Sequence, residues 1–229
     1  GVITATTISQ DETGKIILSA GGANKSDAQG ISATIQAGVL DVSGYDAGET
    51  GGAVEVLGDL VVLESGSIID ASGYAGGGDI KIGGDYLGGG DTQTAMFTYV
   101  DDNAYLFNDA VIDGDGGRTI IWSDDTTEFR GNIYGRGGAL SGNGGFTETS
   151  GKLNLLAQGY VDLTAENGDK GTYLLDPADI TIYGNVDASF VSTDSTIDLN
   201  ENLLVWLDAN DATTVLDADG DNAETGTGG

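Results

Sequence analysis

The sequence predicts an all-β chain wound as a parallel β-solenoid, and three observations carry that prediction. A unit of strand, corner, glycine pair and second strand recurs along the chain; 40 of the 229 residues are glycine; and the short apolar runs between glycines are rich in Val, Ile, Leu and Thr. The clearest copy is GSIIDASGYAGGGDIKIGG, Gly66 to Gly84, where a short strand carrying Asp70 meets a Ser-Gly corner and Asp79-Ile80-Lys81-Ile82 alternates as a second strand. Related copies read GVLDVSGYDAGETGGAVEVLG from Gly38, AVIDGDGGRTIIW from Ala110, GNIYGRGGALSGNGGFTETSG from Gly131 and GYVDLTAENGDKGTYLL from Gly159. The marker of the first strand falls at Asp41, Asp70, Asp113, Tyr134 and Asp162, at spacings of 29, 43, 21 and 28 residues, a period that signals stacked units.

One such unit cannot bury its own apolar residues. Stacking does, because each coil pairs its backbone with the coils above and below at roughly 4.8 Å per step and aligns Val, Ile and Leu into interior columns. Sharp corners between short strands account for the glycine content. An antiparallel sandwich is the competing architecture, but it does not call for the same unit five times.

In chain order, Val2 to Ala20 reads as strand, turn and strand, with Asp11-Glu12-Thr13-Gly14 as the turn and the first coil already running. Ile31 to Leu63 continues the pattern, and Leu60-Val61-Val62-Leu63, apolar at consecutive positions, predicts a strand covered on both faces. Asp85 to Asp91 breaks the coil, and residues 92–110, with Phe97, Tyr99, Tyr105 and Phe107, are expected to form a longer excursion along the flank. That aromatic group reads first as cover for a thin core and second as a carbohydrate platform. The sole proline, Pro177, marks the expected end of regular coils, since it has no N–H to donate. The shaft is therefore expected over residues 1–184, as roughly eight to ten coils about 40 to 50 Å long. Residues 185–229 form a cap, a linker or the start of a further module: Leu203 to Asp211 resembles the opening strand of a concanavalin-like jelly roll. The chain starts and stops in mid-pattern, at Gly1 and Gly229, and so reads as a piece of something longer.

Lys and Arg number 8 against 37 Asp and Glu, with no His, for a formal charge of -29. Such a surface repels phosphate backbones, which argues against nucleic-acid binding. With no Cys, neither disulfides nor thiolate metal sites hold the fold. No apolar run of about 18 residues is present and no basic-then-apolar leader opens the chain, so no membrane insertion is expected.

The run from Thr98 to Ile182 resembles a block found in large bacterial exoproteins of the filamentous haemagglutinin family. The matching motifs occur in order: Gly83-Gly84-Asp85, IIWSDD at Ile120 to Asp125, the RGG-containing stretch Gly131 to Gly138, GGFTETSG at Gly144 to Gly151 and LLDPADITI at Leu174 to Ile182. The resemblance covers roughly Val2 to Gly184. It implies a right-handed parallel β-helix, export of the parent chain through an outer-membrane transporter partner, and a place in an adhesin that is secreted or displayed on the cell surface. The ligand would be a host or neighbouring-cell surface, or copies of the chain stacked end to end as a filament.

Asp217, Asp219 and Asp221 place oxygen ligands at alternate positions around Gly220, as a calcium loop begins, but the acidic ligand expected further on is replaced by Gly-Thr-Gly-Gly. They are the one candidate metal site; a solvated acidic loop is the plainer reading, and no other cofactor is called for. The pairs Asp101-Asp102 and Asp124-Asp125 cannot converge on one bond, because adjacent strand residues point to opposite faces. A β-helical polysaccharide lyase or hydrolase needs cations and a base; here Arg118, Arg130 and Arg136 are the nearest to a cluster, with charge balance by Asp113, Asp115 and Glu128 as the alternative role. No catalytic site is expected. Ice binding would need exposed Thr ladders, and only short instances such as Thr147-Glu148-Thr149 occur.

Overall fold

The computed structural model describes residues 7–10, 14–20, 30–182 and 204–207. Strands β1 (Thr7–Gln10) and β2 (Lys15–Ser19) open the chain, and β3 (Ala33–Gln36) and β4 (Val39–Asp41) complete the first turn. The next turns are β5 (Ala53–Leu57), β6 (Leu60–Leu63) and β7 (Ile68–Asp70); β8 (Asp79–Ile82), β9 (Phe97–Val100) and β10 (Tyr105–Phe107); β11 (Arg118–Ser123), β12 (Thr126–Phe129) and β13 (Asn132–Tyr134); and β14 (Phe146–Gly151), β15 (Asn154–Ala157) and β16 (Tyr160–Asp162). A sixth turn begins with β17 (Thr172–Leu175) and β18 (Asp179–Ile182), and β19 (Leu204–Leu207) pairs with β17.

Each turn adds one strand to each of three sheets. The first sheet runs β1-β2-β5-β8-β11-β14-β17-β19, the second β3-β6-β9-β12-β15-β18 and the third β4-β7-β10-β13-β16. Every described pairing is parallel except β1 with β2. The fold is a parallel β-helix. At its start it departs from the expectation of a running coil: only four residues separate Gln10 from Lys15, too few for a parallel crossover, and β1 and β2 pair antiparallel.

The number of turns is a second correction. Lys15, Ala53, Asp79, Arg118, Phe146 and Thr172 stack directly, so successive turns take 38, 26, 39, 28 and 26 residues. Among the described residues, five complete turns at roughly 4.8 Å each make a stack about 25 Å long, against the 40 to 50 Å expected, because each turn needs three strands and three corners. Within residues 92–110, Phe97–Val100 and Tyr105–Phe107 are β9 and β10, in full register with the neighbouring turns, and the longer connection lies ahead of them, from Gly83 to Met96. The third-sheet marker in that turn is Phe107, which pairs with Asp70 and Tyr134, and Asp113 falls in the corner between β10 and β11. Pro177 does not end the coils. It sits in the corner between β17 and β18, outside either strand, and β18 continues the ladder on β15.

The markers that are acidic cap their own corners. Asp41 accepts from the backbone N–H and hydroxyl of Ser43, Asp70 from the N–H of Ser72, and Asp162 from the N–H and hydroxyl of Thr164, so each carboxylate satisfies the residue two positions on as the chain leaves the third sheet.

The interior is built from alternate residues. On the third sheet Leu40, Ile69, Leu106, Ile133 and Val161 stack as one aliphatic column. On the first sheet Ile16, Val54 and Ile80 give way to Thr119, Thr147 and Tyr173. On the second, Thr34, Thr98 and Thr127 point inward and donate to the carbonyls of Leu57, Trp122 and Ser150 in the next turn, at 2.6, 2.7 and 2.8 Å. Val61 and Leu63 are fully buried, while Leu60 and Val62 are half-buried outside, beside Phe97 and Tyr99.

Where the chain passes from the third sheet to the first, consecutive coils touch backbone to backbone. A Cβ on Gly78 would lie 2.0 Å from the Gly52 carbonyl oxygen, and one on Gly117 would lie 2.1 Å from that of Gly78. The same two carbonyls accept ladder hydrogen bonds from Asp79 and Arg118, each at 3.0 Å. Gly117→Ala should therefore lower stability by about 3 kcal/mol or more, read from urea or thermal unfolding followed by circular dichroism. Gly30→Ala, whose added methyl meets open space, should leave stability unchanged or slightly raised.

Candidate functional site

Two outward features stand apart from bare sheet. The first lies on the third sheet, where β10, β13 and β16 present Tyr105, Phe107, Tyr134 and Tyr160. Tyr105 and Phe107 have near-parallel rings with centroids 6.1 Å apart; Phe107 and Tyr134 follow at 5.2 Å, and Tyr134 and Tyr160 at 5.8 Å with a 53° tilt. These rings are outward because the intervening residues, Leu106 and Ile133, fill the interior.

Beside the ladder, Arg136 leaves the corner after β13, with its guanidinium 5.3 Å from the Tyr134 ring centre. Its backbone N–H, Nε and Nη2 all donate to the Asp109 carboxylate, at 2.7, 3.2 and 2.7 Å. The Asp109 hydrogen bond, first among the causes, raises the Arg136 pKa further, so the group stays charged. A cleft of about 350 Å³ opens here, lined by Asp109, Val111, Arg136, Thr164 and Glu166 among others.

The second feature is a strap over the first sheet. After β8, Gly83 to Met96 crosses the outer face of β11 and β14 before the chain joins β9. Asp85 caps a short 3₁₀ turn, Tyr86–Gly88, through the Tyr86 N–H at 2.8 Å, and pairs with Lys81. Trp122 lies beneath Gly84 and Gly88; a Cβ on Gly88 would sit 2.5 Å from its indole. Leu87, in the left-handed region at φ +52°, aims its N–H at both oxygens of Glu148, 3.2 and 3.3 Å away. Arg118 lies against both the Tyr86 and Phe146 rings, at 5.3 and 5.9 Å, and these rings meet edge to face at 5.8 Å. Burial pushes the Glu148 carboxyl up to about 7, with Asp176 adding to the rise and the Leu87 N–H, Ser150 and Arg118 opposing it.

The three arginines named from the sequence are not brought together. Arg118 stands on the first sheet, Arg130 follows the second and Arg136 follows the third, because their spacings of 12 and 6 residues span corners. Arg130 pairs with Glu128 as the charge-balance reading had it, but Arg118 lies nearest Asp85 at 3.9 Å and Arg136 takes Asp109, where Asp113 and Asp115 had been the expected partners. Asp101 accepts from the Asn103 N–H, and Asp124 from the Thr94 hydroxyl and the Trp122 indole N–H, both as turn residues. Thr147 and Thr149 are buried inside the coil and form no surface ladder. Asp217, Asp219 and Asp221 lie outside the described residues; among the described residues no group of three or more acidic side chains could hold a metal ion.

Sequence reading missed Asp109 and Glu148. Asp109 sits two residues beyond the true marker Phe107, so correct register would have pointed to it; Glu148 is an outward position of a strand that otherwise reads as a glycine-flanked motif. No family model matches the chain, and no curated protein matches it in sequence.

Glu148 makes the strap sensitive to pH. Its raised pKa favours the folded state fully below about 4.5, and this contribution is lost as pH rises to about 7. Glu148→Gln should therefore unfold at higher temperature than the parent at pH 8, by a free-energy difference on the order of 3 kcal/mol, and the difference should shrink toward zero near pH 4. Paired melting curves at the two pH values measure it.

Proposed function

We propose that this chain is the non-catalytic shaft of a large bacterial adhesin, secreted or held at the cell surface. The observation that carries the reading is the unbroken parallel ladder from β2 to β18, in which each turn is both template and surface for the next. Such a stack gains length by adding turns, without building a new compact core, which suits a projecting stalk. The motif block resembling filamentous haemagglutinin exoproteins supports the same reading, since it occupies the third to sixth turns. The parent chain would then be exported through an outer-membrane transporter and would contact a host or neighbouring-cell surface.

Against an enzyme stands the electrostatics of the described residues. The one carboxyl raised to near neutrality, that of Glu148, is fully buried beneath the strap and cannot reach a substrate. The arginines that would hold an anionic polysaccharide are on three separate faces and paired with carboxylates.

Small-angle scattering and electron microscopy, with and without millimolar calcium, test the shaft. Separate short particles with the cross-section of a three-sheet coil are expected. Long fibres with an axial repeat near the length of one rod would instead make the coil ends the binding surface and the protein a filament subunit. Particles with a compact two-sheet interior would overturn both.

A further inference from the structure

We propose that the third-sheet face is a binding site for an uncharged glycan, seated in the cleft beside Arg136 and lying against Tyr134 and Tyr160. This goes beyond the shaft reading and does not depend on it. A sugar ring needs hydrogen-bonding groups of both senses at one end and an apolar plane at the other, because its hydroxyls donate and accept while its C–H faces are apolar. Both are present. The Arg136–Asp109 fork is held by three hydrogen bonds, so it offers a guanidinium edge at a set position without loss of side-chain freedom on binding. The Arg136 side chain is nonetheless 47% exposed and can be reached from solvent. Thr164, whose hydroxyl donates to Asp162, and Glu166 line the cleft with acceptor oxygens, and Val111, 40% exposed, supplies an apolar wall.

The aromatic contact comes from the end of the ladder. Phe107 and Tyr134 stack on each other at 16°, whereas Tyr160, 49% exposed, lies diagonally from Tyr134 with its ring tilted by 53°. A glycan reaching from the cleft would lie along the edge of Tyr134 and against the Tyr160 ring. Charge selects its class. Arg136 is already neutralised by Asp109, and the chain as a whole carries a formal charge of -29, so sulfated, phosphorylated or uronic-acid chains are repelled. A cation fares no better at Asp109, whose carboxylate is committed to the guanidinium.

Isothermal titration of the full chain with maltotetraose, cellotetraose and chitotetraose as neutral probes, and dextran sulfate as the anionic one, tests the inference. Saturable binding of at least one neutral tetrasaccharide is expected, with no binding of dextran sulfate. Tyr160→Ala should weaken that binding at least tenfold, and Arg136→Gln should weaken it further. Leu153→Ala, an exposed residue at a corner of the second sheet, should leave it unchanged. Circular dichroism confirms folding of each variant, and Tyr160→Ala, which removes a half-exposed ring, carries the test if Arg136→Gln does not fold. Absence of neutral binding, binding indifferent to Tyr160→Ala, or preference for dextran sulfate would each overturn the proposal; in any of these cases a rod seen by scattering leaves the shaft reading standing.

Discussion

The constraint on which the molecule depends is contact between main chains at the corner leading into the first sheet. Carbonyl oxygens of one turn occupy the space that a side chain on the next would need, as between Gly52 and Gly78 or Gly78 and Gly117. Those carbonyls also accept the first ladder bond of the following strand. Close approach and hydrogen bonding are thus one requirement, met only by a residue without Cβ. Sheet spacing, interior diameter and the alignment of every outward column follow from turns being seated flush at this corner.

Given that seating, the interior tolerates a change of chemistry along the axis. Its first turns are filled by aliphatic side chains, Leu18, Val54, Val56, Ile80 and Ile82, all fully buried. Further on, Thr119, Thr147, Thr149 and Tyr173 line the first sheet from within, and the Tyr173 hydroxyl meets that of Thr149 at 2.6 Å. The coil supplies partners for most of these buried hydroxyls: Thr34, Thr98 and Thr127 of the second sheet each find a carbonyl one turn away, whereas the Thr147 hydroxyl is left without one. A thin interior cannot offer large apolar burial, and these clips add directed bonds between turns.

Much of this was legible in the sequence. Glycine pairs preceding short alternating strands betray the corner, and the alternation of Asp79-Ile80-Lys81-Ile82 gives inside and outside correctly: Ile80 and Ile82 are buried, Asp79 exposed. Register failed where local composition imitates a strand. Val111 to Asp113 resembles Ile68 to Asp70 residue for residue in character, but it runs through the corner after β10, and Val111 is left exposed. The aromatic ladder was hidden by that slip, since Phe107 joins Tyr134 only when the turn is counted through β10. The strap was hidden for another reason. Its anchor, the Leu87 N–H on Glu148, links residues 61 positions apart, and no local pattern encodes such a pairing.

The unequal turns have a mechanical consequence. Hydrogen bonds between coils lie along the axis, so a pull on the two ends of the stack loads them in tension, one rung at a time, rather than shearing many at once. Turns then peel off singly, and each frees chain in proportion to its own length: about 90 Å for a turn of 26 residues and about 130 Å for one of 39. The stack behaves as a graded ratchet under load, yielding at modest force and paying out slack in uneven steps, with the strapped third turn releasing the longest.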